Sequence, residues 1–226
     1  MKQAVLGFGN SSKPVLESRE ALFPGWTFGV LDSWSVVQTL QVPEVDEDGA
    51  ETVFFSDYSQ FIEEPSVGLR FGGDKYRPSD TEKMLRFLPH YEDFLEAEKT
   101  GLPAITESLR PFGRIVATAD LSAALATCWL ADLLRVLAPY GPELIVLSVY
   151  PAPFQGERTR RFAQGVSEAL MDLPVKHFTL FSADVGRDCG HMTLPQYFNV
   201  LQSLHGDALS ACLRGEAPDP EWFQAI

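Results

Sequence analysis

The sequence predicts an α/β protein: a Rossmann-like, mostly parallel sheet with helices on both faces, ending in a long central helix. Two observations predict it. From Arg114 onward, short apolar runs of strand length alternate with apolar-periodic stretches of helical length. The chain also opens in the order strand, turn, helix, with Gly9-Asn10-Ser11-Ser12 as the turn. Strands that alternate with helices pair in parallel through right-handed crossovers, which covers both faces of the sheet.

Each element follows from its local pattern. Strands are expected at 3–8, 26–31, 52–55, 114–118, 143–150 and 175–181. Helices are expected at 15–23, from about Thr81 to a stop or kink at Pro89, at 105–109, and at 121–137, 158–171 and 195–213. Residues 43–48 are acidic and read as a loop, as do the glycine-bearing 68–80 and "SADVGRDCGHM" (182–192). The segment 215–226, with two prolines and three acids before Trp222 and Phe223, reads as a short extended tail, a docking peptide or a segment packed back on the domain. The division is therefore one domain over 1–214 and an acidic tail over 215–226.

Composition narrows the function classes. The chain has 226 residues, 45% hydrophobic and 22% charged, an ordinary globular balance. A formal net charge of -13 repels nucleic acid and anionic membranes. No apolar run approaches the length of a membrane span, and no signal-peptide core opens the chain. Three cysteines, Cys128, Cys189 and Cys212, make no disulfide framework and fit a cytoplasmic protein.

In open α/β sheets, ligands sit beyond the carboxyl ends of the strands. The loops after Phe8, Thr118, Tyr150 and Phe181 therefore matter most. Gly7 and Gly9 with Asn10 can let backbone approach a phosphate at a helix start, and they also suit a plain tight turn. Gly72 and Gly73 beside Lys75 can cradle an anion or form a surface loop. Gln155 can bond a ribose hydroxyl and Arg158 a phosphate, or both belong to a solvated first helical turn. Tyr197 can stack on a base and Asn199 can read a purine edge, or they are core and surface residues of a helix. Cys189, His191 and Asp184 form a conceivable nucleophilic set, but they are too few for a zinc site.

One junction departs from the nucleotide-binding pattern. In "GRIVATADLSAALATCWLADLL" (113–134), the strand-to-helix turn holds no glycine and one carboxylate, Asp120. Asp120, or Thr118 just before it, is expected to cap the helix that follows.

The order of these pieces resembles the nucleotide-binding domain of the tubulin/FtsZ superfamily, most closely from Arg114 to Arg214. Gly7-Phe8-Gly9-Asn10 is similar to the family's opening turn, and Gly72-Gly73-Asp74 to its second glycine loop. "PAPFQGERTRRFA" (151–163) resembles the Pro-Phe loop and the helix after it, with Phe154, Gly156 and Ala163 in register. Tyr197 and Asn199 fall near the family's guanine-reading turn, and "CLRG" (212–215) is similar to the end of its tubulin version. The family's glycine-rich phosphate loop belongs where Asp120 stands. Gln155 replaces the loop acid, and Thr159 holds the arginine register between Arg158 and Arg160. "APDPEW" does not match the loop whose acid completes the GTPase site of a neighbouring subunit, although Asp219 and Glu221 lie close by. The chain ends soon afterwards, so the family's second domain is expected to be absent.

The resemblance implies a cytoplasmic, cytoskeleton-related pseudo-GTPase: a structural or regulatory protein acting through protein contacts, with no catalytic residue, cofactor or metal. Its implied partner is a polymerising tubulin/FtsZ-like protein or a second copy of itself. Where the nucleotide site is retained, GTP is the implied ligand, held through Gly7, Gly9, Asn10, Gly72, Gly73, Gln155, Arg158, Tyr197 and Asn199. An unorthodox phosphate site using Lys75 and Arg158 is one alternative. A small α/β enzyme built on Cys189 and His191 is another.

Overall fold

The computed structural model describes residues 1–8, 11, 15, 26–31, 54–55, 106–122, 124–188 and 192–226, of which 30, 31, 54, 55, 124–129, 158, 162 and 188 are described by backbone alone. The helices expected at 15–23 and from Thr81, the loops at 43–48 and 68–80, and residues Cys189 and His191 fall wholly or almost wholly outside these. Of the first helix, only Val15 is described, and it is buried.

Six strands run parallel: β1 (Gln3–Phe8), β2 (Trp26–Leu31), β3 (Phe54–Phe55), β4 (Arg114–Asp120), β5 (Glu143–Tyr150) and β6 (Val175–Phe181). A short strand, β7 (Phe223–Ala225), joins β6 antiparallel, and the sheet order is β3-β2-β1-β4-β5-β6-β7. The central strands read as unbroken apolar runs because helices cover both faces; all five residues Ile115 to Ala119 of β4 are fully buried.

The strand period of two divides the core into halves. On one face, Leu6 and Phe8 of β1, Ile115 and Ala117 of β4, and Leu144 and Val146 of β5 meet α1 (Ala124–Leu137) and α2 (Glu157–Met171). On the other, Val5, Val116, Ile145, Leu147 and Leu180 meet α3 (Ser182–Asp188) and α4 (Leu194–Arg214). Helix α4 buries Tyr197, Leu201, His205, Ala208, Leu209, Cys212 and Leu213 along one stripe. Pro195 lies in its first turn, where a missing N–H costs nothing, and the Gln196 side chain accepts the Thr193 backbone N–H at 2.9 Å. Gly215, at φ 85°, ends the helix in the left-handed conformation that glycine adopts without strain.

Two expectations need correction. Residues 182–188 form helix α3, not a loop. The helix is too short for its periodicity to show, and tertiary hydrogen bonds hold its start. Asp120 does not cap α1. It ends β4, and its Oδ1 accepts the Ser122 backbone N–H at 2.8 Å in an Asx turn that precedes the helix. The segment 215–226 supplies β7, with Phe223 buried and Trp222 half-buried.

Candidate site at the carboxyl ends of the strands

The strand order reverses between β1 and β4, so the crevice beyond Phe8 and Asp120 is the topological switch point where α/β sheets place ligands. Three further pieces converge on this end of the sheet: the loop after β5, the start of α3 and the start of α4.

They are tied together by hydrogen bonds. Leu121 N–H donates to the Val149 carbonyl at 3.0 Å, which carries the β4–β5 pairing one residue past the strand. Ser182 Oγ donates to the Tyr150 carbonyl at 2.6 Å, and Tyr197 Oη donates to the Ser182 carbonyl at 2.7 Å. Helix α4 is thereby anchored to β5 through the first residue of α3. Burial pushes the Tyr197 phenol above the usual tyrosine range, and the Asp120 carboxylate adds to it. Phe154 and Phe198 stand edge-on to Tyr197, with centroids at 5.5 and 5.3 Å, and are 59% and 41% exposed.

The residues expected at a nucleotide site are placed as follows. Gly7 is a buried residue of β1, paired with Val30 and Thr118. Gly9, Asn10, Gly72, Gly73 and Lys75 lie outside the described residues, and so does the side chain of Arg158. Gln155 is half-buried, and its Oε1 already accepts the Ala152 backbone N–H at 2.8 Å. Tyr197 is buried. Asn199, two positions on in the same helix, is exposed and turned about 200° from it, so the two are not brought to one face. Asp184 pairs with Arg187 at 3.0 Å. Among the described residues, no three His, Cys, Asp or Glu side chains are placed to hold a metal ion. Ser11, just beyond β1, is buried and its Oγ has no hydrogen-bond partner among the described residues.

Ser182 is a site residue that the sequence reading passed over. A serine directly after a strand is a helix-start signal, and that signal was present. Two buried polar groups were also passed over. Thr118 of β4 hydrogen-bonds His205 of α4. On the opposite face, Ser148, His177 and Thr179 form a triangle with sides of 2.8, 3.0 and 3.0 Å. Burial pushes both imidazoles down to about 4, so each is neutral at neutral pH. These groups specify the packing of β4 on α4 and of β5 on β6, inside the core and away from the rim.

No family model and no curated protein matches the chain. Solved structures do. An FtsZ point mutant from M. jannaschii superposes with a TM-score of 0.71 at 13% identity, over 96% of this chain and 57% of that one. A structure described as an empty FtsZ dimer from the same organism gives 0.69 at 12% identity, over 96% and 56%. TubZ of the Clostridium botulinum phage c-st gives 0.50 at 7% identity, over 90% and 60%. The chain therefore has a tubulin/FtsZ-like fold, and it spans little more than half the length of these structures.

Proposed function

We propose that this chain, on its tubulin/FtsZ-like fold, is a non-hydrolysing structural or regulatory protein of the cytoplasm that works through protein contacts and not through a bound triphosphate. The observation that carries this reading is the Asp120–Ser122 hydrogen bond of 2.8 Å at the switch point. A phosphate cradle needs free backbone N–H groups and close approach of the backbone. Here the Ser122 N–H is already satisfied by the chain's own carboxylate, and the sequence from Asp120 to Ala124 holds no glycine to ease the approach. A phosphate about 4 Å from Asp120 meets a repulsion of roughly 1 kcal/mol in water and several times that in a drier crevice. It must also displace the Asx turn. The partners this reading implies are a polymerising tubulin/FtsZ-like protein or a second copy of the chain.

Titration with a fluorescent GTP analogue, with and without millimolar magnesium, tests the proposal. No saturable binding is expected under either condition. Saturable micromolar binding overturns it, and loss of that binding in Asn199→Ala would place the guanine where the resemblance implies it. Co-pelleting with a polymerising FtsZ tests the contact role.

A further inference from the structure

The proposed function calls for a contact surface, and the inference below rests on that reading. We infer that the rim at the carboxyl ends of the strands docks a basic segment of a partner protein, with an arginine or lysine side chain seated between the Asp120 carboxylate and the Phe154 and Phe198 rings.

Asp120 is only partly engaged. Its Oδ1 holds the Ser122 N–H, and it takes part in no ion pair among the described residues. An ionised carboxylate has about four acceptor positions, so most of its capacity is open. Of the described cations of α2 and α3 at this end of the sheet, Arg161 pairs with Glu157 at 2.6 Å and Arg187 with Asp184 at 3.0 Å, and Arg160 belongs to α2, which packs on the opposite face of the sheet from α4. A half-buried carboxylate with unfilled acceptors favours a cation supplied from outside.

Aromatic rings stand on the same rim. Single exposed apolar residues are ordinary, but Phe154 and Phe198 flank one buried ring, Tyr197, which is tied through Ser182 to Tyr150, the residue after the Val149 that pairs with Asp120. Aromatic rings beside a carboxylate are suited to a guanidinium or ammonium: the rings attract the cation through their quadrupoles, and the carboxylate takes its N–H groups. An anionic or purely aliphatic ligand would gain from only one half of this surface.

Net charge chooses the occupant. The chain carries 31 acidic against 18 basic residues. A second copy would bring mostly like charge, whereas a basic segment is steered toward the acidic surface and then captured at the rim.

The test uses the full chain and a fluorescein-labelled hexa-arginine peptide, read by anisotropy at low salt. Asp120→Asn removes the charge but keeps an oxygen to accept the Ser122 N–H, so the turn survives. It is expected to weaken peptide binding about tenfold. The double variant Phe154→Ala/Phe198→Ala is expected to weaken it about fivefold. Glu107→Gln removes the same charge at an exposed site near the other end of the sheet and is expected to change it by less than about twofold. If Glu107→Gln weakens binding as much as Asp120→Asn, attraction is by bulk charge and the inference is overturned. It is also overturned if the peptide does not bind, or if sedimentation shows a dimer that Asp120→Asn abolishes, since the occupant is then a second copy. The GTP-analogue titration separates the two levels. Nucleotide binding overturns the function proposed above, whereas a chain that binds neither nucleotide nor peptide overturns the docking inference alone.

Discussion

The indole Nε1–H of Trp26 donates a buried hydrogen bond of 3.2 Å to the Leu213 carbonyl, joining β2 to the last turn of α4. The Arg114 guanidinium lies over the same indole, 5.7 Å from its ring centre, and reaches the Cys212 carbonyl at 3.5 Å. The last-turn carbonyls and negative dipole end of α4 are thus met by a donor and a cation from the sheet. Arg114 opens β4 and Asp120 closes it, while Thr118 holds His205 between them. One strand therefore fixes the long helix at its base and its middle, and its last residue faces the helix start at the rim.

Trp26→Phe keeps most of the buried ring but removes the donor, leaving the Leu213 carbonyl without this partner. A loss of about 1–3 kcal/mol is expected. In urea unfolding the midpoint should fall with an unchanged slope. An unchanged midpoint would mean that water replaces the indole.

The Asx turn at the switch point separates the charge of Asp120 from its structural role. Asp120→Asn should leave the unfolding midpoint nearly unchanged, because the amide oxygen accepts the Ser122 N–H just as the carboxylate does. Asp120→Ala should lose about 1 kcal/mol. Equal losses in both variants would show that the charge, not the turn, stabilises the junction.

The parts of this fold that were legible in the sequence are those whose signal is local. β1, β2, β5 and β6 match the expected strands residue for residue, because their apolar runs end at turns. Helix α3 was marked in the sequence only by Ser182 directly after β6: the polar turn containing Gly186 has no apolar stripe, and the helix start is held by Tyr150 and Tyr197, both distant in sequence. The three-residue β7 gives no periodic signal either. At the site, the departure at Asp120 was visible as a missing glycine, but its nearness to Tyr197 was not, since β4 and α4 approach only in the folded sheet. The Thr118–His205 pair was hidden for the same reason.

The two buried histidines set a pH dependence. Burial depresses both His177 and His205 from 6.5 to about 4, so between those values the unfolded chain binds protons that the folded chain excludes. Their contribution is complete above pH 6.5 and is lost as pH falls toward about 4. It amounts to about 3 kcal/mol for each imidazole. Urea midpoints at pH 7.5, 6 and 5 should fall steadily, and His205→Gln should flatten the slope by about half. A midpoint that does not change across this range would show that the imidazoles take up protons in the folded protein.

β7 seals the edge of β6, and its removal should have a cost that composition alone does not suggest. Phe223 packs into the face shared with Leu180, Cys212 and Leu213, and Ile226 N–H donates to the His177 carbonyl at 3.0 Å. Phe223→Ala should destabilise the protein by about 3 kcal/mol through loss of a buried ring. Gln224→Ala, at an exposed position of the same strand, should change stability by less than about 0.5 kcal/mol. Deleting 223–226 goes further, because it uncovers the ladder groups of "VKHFTLF", an apolar, β-prone strand with one lysine near its start. That variant should scatter light on mild heating well before the full-length chain does. If its solubility matches that of the full-length protein while Phe223→Ala is destabilised, the role of β7 is confined to delivering the phenylalanine to the core.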